Sequence, residues 1–382
     1  MPDFTVKVNN GIISVVSPQV EVANFDMEGR LLYFTTNGIM YKRSLDNDLF
    51  RIGWSGDLRI VEKVSEKEAR SLIDRSAEML DSVKNKETAK DSGIMEVPSR
   101  KYDLLEKDRM IFNEIYGSIS PVIPPDQLNS IYVGLTSGCK WNRSTLCRSY
   151  AGREYTTLDI NQFREHVNRV RDFLGKGLSA RRTVFLGDPN SLNADQKVLE
   201  EALDYLIETF HLPVYSFLDI FTTPKTKRMA HFQLMKKHGL DRVYVAIETG
   251  DYRLIKYLNE HTNISETINL VNNLKFSKIP VSLVIMLGTG GKKFQQEHMT
   301  GTANIISQMD LGPGDMVYLS PIGSDDQLYN EIAGKHFDPI TAEEINSQLK
   351  PMTEAIKADY SDMNGKEFPV PISYFNLAET VY

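Results

Sequence analysis

Only two of the 382 residues are cysteine, and both stand in one short segment: Ser137-Gly138-Cys139-Lys140-Trp141-Asn142-Arg143-Ser144-Thr145-Leu146-Cys147-Arg148. Thiolates are soft ligands suited to iron and zinc, but an all-cysteine zinc or iron–sulfur site takes three or more of them. On its own terms the pair reads as two buried apolar residues, as a disulfide, which a reducing compartment disfavours, or as part of a metal site. Lys140, Arg143, Arg148 and Arg153 surround it. The default for such residues is solvation, and the alternative is contact with an anionic substrate. Small polar residues and glycines recur further along the chain at Gly187-Asp188, Thr222-Thr223-Pro224, Glu248-Thr249-Gly250, Gly288-Thr289-Gly290-Gly291 and Ser320-Pro321. Each is a place where a ligand can approach the backbone closely. The glycine cluster lacks the G-x-x-x-x-G-K-[ST] pattern of a phosphate loop, no G-x-S-x-G nucleophile turn occurs, and the seven histidines show no zinc-ligand spacing.

These positions gain meaning from the elements that carry them. From residue 130 the chain alternates strand-type and helix-type segments: strands at Ile131 to Thr136, Thr183 to Leu186, 214–221, Val243 to Ile247, Val281 to Leu287 and Met316 to Ser320. Helices are expected at 158–174, at 194–210 with Asn193 as its cap, near 225–238, within 251–277 and near 294–308. Six βα-type units predict a parallel sheet with outer helices, either an open doubly wound sheet or a closed or partial barrel. The polar and glycine-bearing positions above then all fall just after strands, where parallel α/β folds keep their functional loops. His298, early in a helix, reads as structural, and Trp141 as packing.

The first 60 residues differ. Asn9-Asn10-Gly11 and Thr36-Asn37-Gly38 set Asn-Gly between β-formers, the favoured two-residue hairpin. Ser65 with Glu68 fits a capping box ahead of Ala69, Leu72, Ile73, Leu80 and Val83 at helical spacing. A second helix covers about 101–116, and the polar stretch 84–98 reads as a linker or exposed loop. At the other end Thr341 and Glu344 open a helix that Pro351 interrupts. The apolar tail FPVPISYFNLAETVY is expected to pack on the domain, since Phe368, Ile372, Tyr374 and Phe375 are costly to leave in water.

Composition bounds the reading. The chain is 41% hydrophobic and 25% charged, ordinary globular values, and 44 basic against 51 acidic residues give a net charge of −7. A globally basic nucleic-acid binder is not expected, although Lys225, Lys227, Arg228, Lys236 and Lys237 offer a local basic helix. No apolar run reaches the roughly 18 residues of a membrane helix. The start, MPDFTVKVNN, lacks a basic stretch followed by an apolar run, so a cytoplasmic location without membrane partners is expected.

The cysteine segment resembles the cluster loop of the radical SAM superfamily, in the branch with C-x4-C-x2-C spacing related to coproporphyrinogen-oxidase-like and tRNA-modifying members. Phe185-Leu186-Gly187-Asp188 resembles that branch's second-strand motif. Gly239 to Tyr244 followed by Glu248-Thr249-Gly250-Asp251 resembles its fourth, and Gly290-Gly291 with Phe294 and His298 its fifth. The resemblance spans roughly 130–325, half of the chain. It implies a barrel of six βα units in which cysteine thiolates hold a [4Fe–4S] cluster. S-adenosylmethionine is then chelated by the open iron and cleaved by one electron from an electron donor to begin radical chemistry. Carried residue by residue, it makes Cys139 and Cys147 cluster ligands and sets Ser144 in the third ligand's place. Leu146 takes the usually aromatic position near the adenine, and Gly187, Asp188, Glu248 and Gly250 become S-adenosylmethionine contacts. A hydroxyl stays protonated near neutral pH and is a poor partner for iron, so the cluster is expected to be weak or absent.

The fold expected is therefore α/β: a partial (β/α)6 TIM-like barrel at 128–325, a small β-rich N-terminal extension with helices at 1–127, and a C-terminal helical segment with a packed tail at 326–382. The activity expected is that of a radical SAM-type iron–sulfur enzyme acting on an unidentified substrate. The alternatives are a non-catalytic homologue serving as a binding subunit, and a tRNA-modifying member.

Overall fold

The computed structural model describes the chain except residues 1–3, 56–57, 85–92, 118–121, 142–143, 147–149, 151–152, 259–261, 323–326 and 377–380. It divides into two compact units. The first comprises Met1–Ile131, Glu165–Thr183 and Glu379–Tyr382, and the second Tyr132–Arg164 and Val184–Ala378.

Unit 1 is built on seven antiparallel strands in simple meander order: β1 (Thr5–Asn9), β2 (Ile12–Val16), β3 (Val22–Asp26), β4 (Leu31–Thr36), β5 (Ile39–Arg43), β6 (Leu49–Ser55) and β7 (Leu58–Lys63). The two Asn-Gly hairpins form as expected, with Asn10 and Asn37 at φ 51°, the left-handed geometry that matches strand twist. Alternation puts Ile13, Val15, Ala23, Phe25, Phe34, Tyr41 and Leu49 on one face. That face is covered by Ala69, Ile73, Leu80 and Val83 of α1 (Glu66–Lys84). The Ser65 hydroxyl accepts the Glu68 N–H at the helix start, 3.3 Å. The helix α2 (Tyr102–Tyr116) follows. Of the expected linker, residues 85–92 lie outside the described part, and Ile94–Glu96 forms a 3-10 turn with Ile94 buried.

Between these elements lies an ionic network, buried at Arg30 and Asp108 and half-buried at Arg100 and Glu28. Arg30 Nε donates to Asp108 at 2.6 Å and its Nη2 to the Phe173 carbonyl at 2.6 Å, while Arg100 pairs with Asp108 and Glu28, each at 3.1 Å. Beside it the Arg43 guanidinium is lowered to about 10, first by burial and next by Arg30.

Unit 2 holds a seven-stranded sheet in the order β8 (Ile131–Gly134), β11 (Val184–Gly187), β12 (Val214–Leu218), β13 (Leu240–Ile247), β14 (Val281–Leu287), β15 (Met316–Pro321) and β16 (Ile372–Tyr374). From β11 to β16 every pairing is parallel. A doubly wound sheet reverses its strand order at a switch point. Here each strand lies beside the next in sequence, which is the winding of a barrel wall and decides for the partial barrel. A separate two-stranded ribbon pairs β9 (Thr136–Ser137) with β10 (Thr156–Thr157) and closes the base of the cysteine segment.

The helix α3 (Ile160–Leu174) belongs from Glu165 onward to unit 1, and the helices of unit 2 are α4 (Gln196–Phe210), α5 (Thr223–Thr226), α6 (Met229–Lys237), α7 (Tyr252–Tyr257), α8 (Ile264–Phe276), α9 (Gln295–Ser307), α10 (Gln327–His336), α11 (Ala342–Ser347) and α12 (Leu349–Asn364). The core between strands is aromatic: Phe185 meets Phe217 edge-on at 5.4 Å, and Tyr244 lies within 6 Å of both.

Three details differ from expectation. Asp195, not Asn193, caps α4, accepting the Lys197 and Val198 N–H groups, because Asn193 is drawn into a tertiary network described below. Pro351 does not break a helix: a new one, α12, begins at Leu349, and proline is tolerated in a first turn. The tail goes further than packing, since Ile372 to Tyr374 pair with Val317 to Leu319 as the seventh strand. The Thr341–Glu344 capping box is present as expected. Among the described residues, no helix is long and apolar enough to cross a membrane.

Candidate functional site

The exits of β8, β11, β12, β13 and β14 bring the candidate residues to one end of the unit 2 sheet. Cys139, half-buried, follows Gly138, where the backbone turns through φ 74° against the Glu154 carbonyl. The segment is then anchored at several points. The Lys140 N–H donates to Asn190 Oδ1 at 2.9 Å, and Lys140 Nζ donates to the Asn193 carbonyl at 3.1 Å while lying over the Tyr155 ring at 4.8 Å. Trp141 stacks on Phe221 with centroids 6.0 Å apart. Thr145 gives both its N–H and its hydroxyl to the Leu258 carbonyl, at 3.4 and 2.9 Å. Cys147 lies outside the described residues, as do Asn142, Arg143 and Arg148.

Ser144 is the position on which metal chemistry turns. Its hydroxyl oxygen accepts the Leu146 N–H at 3.1 Å, a local serine turn of ordinary kind. A protonated hydroxyl engaged by the backbone is a poor iron ligand. The whole chain has only one further cysteine besides Cys139, and among the described residues no three His, Cys, Asp or Glu side chains gather as a metal set. The donor set does not fit a [4Fe–4S] cluster held by three protein thiolates.

Of the residues expected to contact S-adenosylmethionine, two glycines are accounted for by packing. A Cβ on Gly187 would run into the Tyr132 ring, and one on Gly250 into the backbone of Gly301 and Thr302. Asp188 sits at the β11 exit with φ 76°. Burial raises its carboxyl above the usual range, against the hydroxyls of Tyr150 and Tyr132 and the charge of Arg153. Its Oδ1 is buried without a hydrogen-bond partner, so this carboxyl is the one expected contact with an unsatisfied atom. Glu248 follows directly on β13. The neighbouring Thr249 and Gly250 are tied to α9. His298 Nε2 donates to the Met286 carbonyl at 2.9 Å, leaving Nδ1 to accept the Thr249 hydroxyl at 3.0 Å, and the Gly250 N–H donates to Thr302 Oγ1 at 3.0 Å. Fully buried, His298 is lowered to about 4 by desolvation, so it is a neutral strut, as its sequence position suggested. Gly288 is likewise clasped: its N–H reaches Gln348 Oε1 and its carbonyl accepts the Tyr329 hydroxyl, both at 2.8 Å.

Sequence reasoning missed a polar network at the β11 and β12 exits. The Asp219 carboxylate accepts hydrogen bonds from Asn190 Nδ2 (2.9 Å), from Asn193 Nδ2, from the Thr222 hydroxyl and from the backbone N–H groups of Phe221 and Thr222. Asn193 Oδ1 accepts the Thr223 and Thr226 hydroxyls. The local signal was an aspartate two residues before Phe221, the spacing of an Asx turn. Lys227, offered above as part of a basic helix, is 6% exposed and turns inward to the Ala194 carbonyl and Gln196 Oε1. Burial lowers its ammonium to about 8. Lys236 pairs with Asp241 at 2.5 Å, so Lys225, Arg228 and Lys237 are the cations of that group left outward.

No family model matches the chain, and no curated protein matches it. Among solved structures it is similar to coproporphyrinogen III oxidase (HemN) from Escherichia coli, a radical SAM enzyme, at 12% identity and TM-score 0.44 over 59% of this chain and 52% of that one. It is similar to methylornithine synthase (PylB) at 13% identity and TM-score 0.43, covering 81% and 79%. A third is the radical S-adenosylmethionine methyltransferase TsrM from Kitasatospora setae, at 14% identity and TM-score 0.41. The chain covers 54% of its own length there and spans 37% of the methyltransferase. At these levels the function is read from the residues of this chain.

Proposed function

We propose that unit 2 is a radical SAM-type domain whose cluster loop stands one thiolate short. The reading is supported by the order of its strand-exit residues: Cys139, Ser144 and Leu146 after β8 and β9, Gly187-Asp188 after β11, Glu248-Thr249-Gly250 after β13, and Gly288 to Gly291 after β14, along a sequentially wound parallel sheet. The reaction class is radical chemistry begun by reductive cleavage of S-adenosylmethionine, on a substrate not identified, with an external electron donor. Asp188 and Glu248 are the residues proposed to face that cofactor.

Because Ser144 does not complete the donor set, the chain as it stands is proposed to hold little iron, and Ser144→Cys to complete the site. Anaerobic reconstitution followed by iron counting and EPR tests this. The expected result is trace iron in the chain and about four irons per chain in Ser144→Cys, with an EPR signal perturbed by S-adenosylmethionine. A full cluster in the unaltered chain would overturn the role given to Ser144, and no cluster in either protein would overturn the radical SAM reading.

One observation favours a second reading, a binding subunit without radical chemistry: the Ser144 hydroxyl is already satisfied by the Leu146 N–H, so this turn is complete without metal. If Ser144→Cys takes up iron yet neither protein cleaves S-adenosylmethionine under a strong reductant, the second reading stands. The tRNA-modifying alternative is supported less, since Lys227 and Lys236 are engaged within the protein.

A further inference from the structure

We infer that Asp219 is the positioning residue of the cysteine loop: one carboxylate ties the exits of three neighbouring strands together and sets the loop before any metal or cofactor arrives. The path is continuous. Asp219, just past β12, accepts the amides of Asn190 and Asn193, which lie past β11. Asn190 then accepts the Lys140 N–H through its Oδ1, one residue from Cys139, and the Asn193 carbonyl accepts Lys140 Nζ. The strands β8, β11 and β12 are adjacent in the sheet, so three exits that neighbour one another by winding are bound by one anion.

The chemistry favours a carboxylate here. Each Asn amide presents donors toward position 219, and the Phe221 and Thr222 N–H groups point at the same side chain. A group with four acceptor sites and no donors suits this convergence. Asn190 and Asn193 are themselves buried, where an unmet amide donor is costly. Both ends of the path carry aromatic residues that report on it: Phe221, two residues after Asp219, is the stacking partner of Trp141 in the loop.

This inference rests on reading that loop as the functional one, and its test is independent of iron. The chain has two tryptophans, Trp54 and Trp141, so Trp54→Phe leaves Trp141 as the sole fluorophore. In that background Asp219→Asn is the informative change. Its remaining oxygen still accepts the Phe221 and Thr222 N–H groups and keeps the local turn, while its new amide meets the Asn190 and Asn193 amides donor to donor. The double change Asn190→Asp with Asp219→Asn reverses the Asn190 arm of the bridge: position 190 then accepts both the Lys140 N–H and the amide at 219, while Asn193 Nδ2 still faces that amide.

In metal-free protein, acrylamide quenching of Trp141 is expected to rise about twofold or more in Asp219→Asn and to return part of the way in the double variant. A merely structural turn residue would not be rescued by the exchange. Quenching unchanged in Asp219→Asn, or failure of the exchange to reverse a rise, would overturn the inference. So would a Trp141 fully open to quencher in the parent and protected only after iron reconstitution. Should Ser144→Cys bind no iron while the quenching pattern holds, the functional proposal fails and the positioning role stands.

Discussion

The two units place their buried polar groups differently. In unit 1 charges face charges: Arg30, Arg100, Asp108 and Glu28 form a linked set beneath an antiparallel sheet. In unit 2 the buried polar groups are mostly neutral, with an ion pair between Lys275 and the buried Asp315 ahead of β15, and those at the strand exits gather around two half-buried carboxylates, Asp219 and Asp188. An ion network with its partners in place offers little to a ligand, and removing one member strands the others. A row of exits joined by amides and hydroxyls positions loops. Unmet buried polar atoms occur in both units, Asp26 Oδ2 and Arg43 Nη1 in the first and Asp188 Oδ1 in the second, so the units differ in placement: ion pairs under a sheet in unit 1, donors and acceptors at strand exits in unit 2.

The comparison can be broken most sharply in unit 1. Asp108→Ala leaves Arg30 and Arg100 without their shared partner and is expected to cost about 3–5 kcal/mol. Trp54 and Trp141 fall one in each unit, so urea unfolding of Trp141→Phe and Trp54→Phe backgrounds reads the units separately. The loss should appear at Trp54. An equal shift at Trp141 would mean that the units unfold as one.

Each unit also carries a histidine held neutral, fully buried at His298 and half-buried at His166. His166 in unit 1, which meets the Tyr116 ring edge-on, and His298 in unit 2 are both lowered to about 4, chiefly by desolvation. Unfolded histidine titrates near 6.5, so between about pH 6.5 and 4 the unfolded chain binds a proton that the folded one refuses. Stability therefore falls as pH is lowered through that window, by up to about 3 kcal/mol at His298 and less at the partly exposed His166. Urea midpoints taken from pH 7 to 4.5 should show the slope, and His298→Gln should flatten it at Trp141 only. A slope that survives both His298→Gln and His166→Gln would assign it to other groups.

A smaller effect sharpens the reading of the glycines. Gly250→Ala drives a methyl group into the Gly301 backbone and is expected to destabilise unit 2 by about 1–3 kcal/mol, as overpacking does. If Gly250→Ala folds with its midpoint unchanged, the glycine is not held there by packing and its role as a cofactor contact gains. The smallest change expected is in Trp54→Phe itself, within about 0.5 kcal/mol, because the indole is 68% exposed. Any larger loss would show that this face of the sheet is covered.

Much of the architecture was legible because its signals are local. Asn10-Gly11 and Asn37-Gly38 fix hairpins by backbone geometry alone, and the Thr341–Glu344 box starts a helix within four residues. The buried β14 announces itself by five consecutive apolar residues, Leu283 to Leu287. The barrel winding was not legible, since strand order depends on which strands pair rather than on where they lie in sequence. The strand at Ile372 to Tyr374 escaped because it is three residues long and enters through Pro371. The candidate site divides along the same line. Cys139 and Ser144 could be singled out by type and spacing. Asp219 and Asn190 stand 29 positions apart and meet only when neighbouring strand exits do. Asn193 was misread as a helix cap for the same reason: a side chain with good local use was claimed by a tertiary partner.

The division of the chain also has a consequence during synthesis. Unit 1 owns the first 131 residues, yet Lys42 Nζ donates to the Val381 carbonyl and the Leu45 N–H to that of Tyr382. A ribosome releases the seven strands of the meander early, but these two partners emerge only after all of unit 2 has been made. These two hydrogen bonds must wait through the translation of roughly 320 residues, about a minute at the slow end of elongation. Chaperone capture, if it occurs, should fall in that interval and be shortened by anything that speeds the second unit's completion.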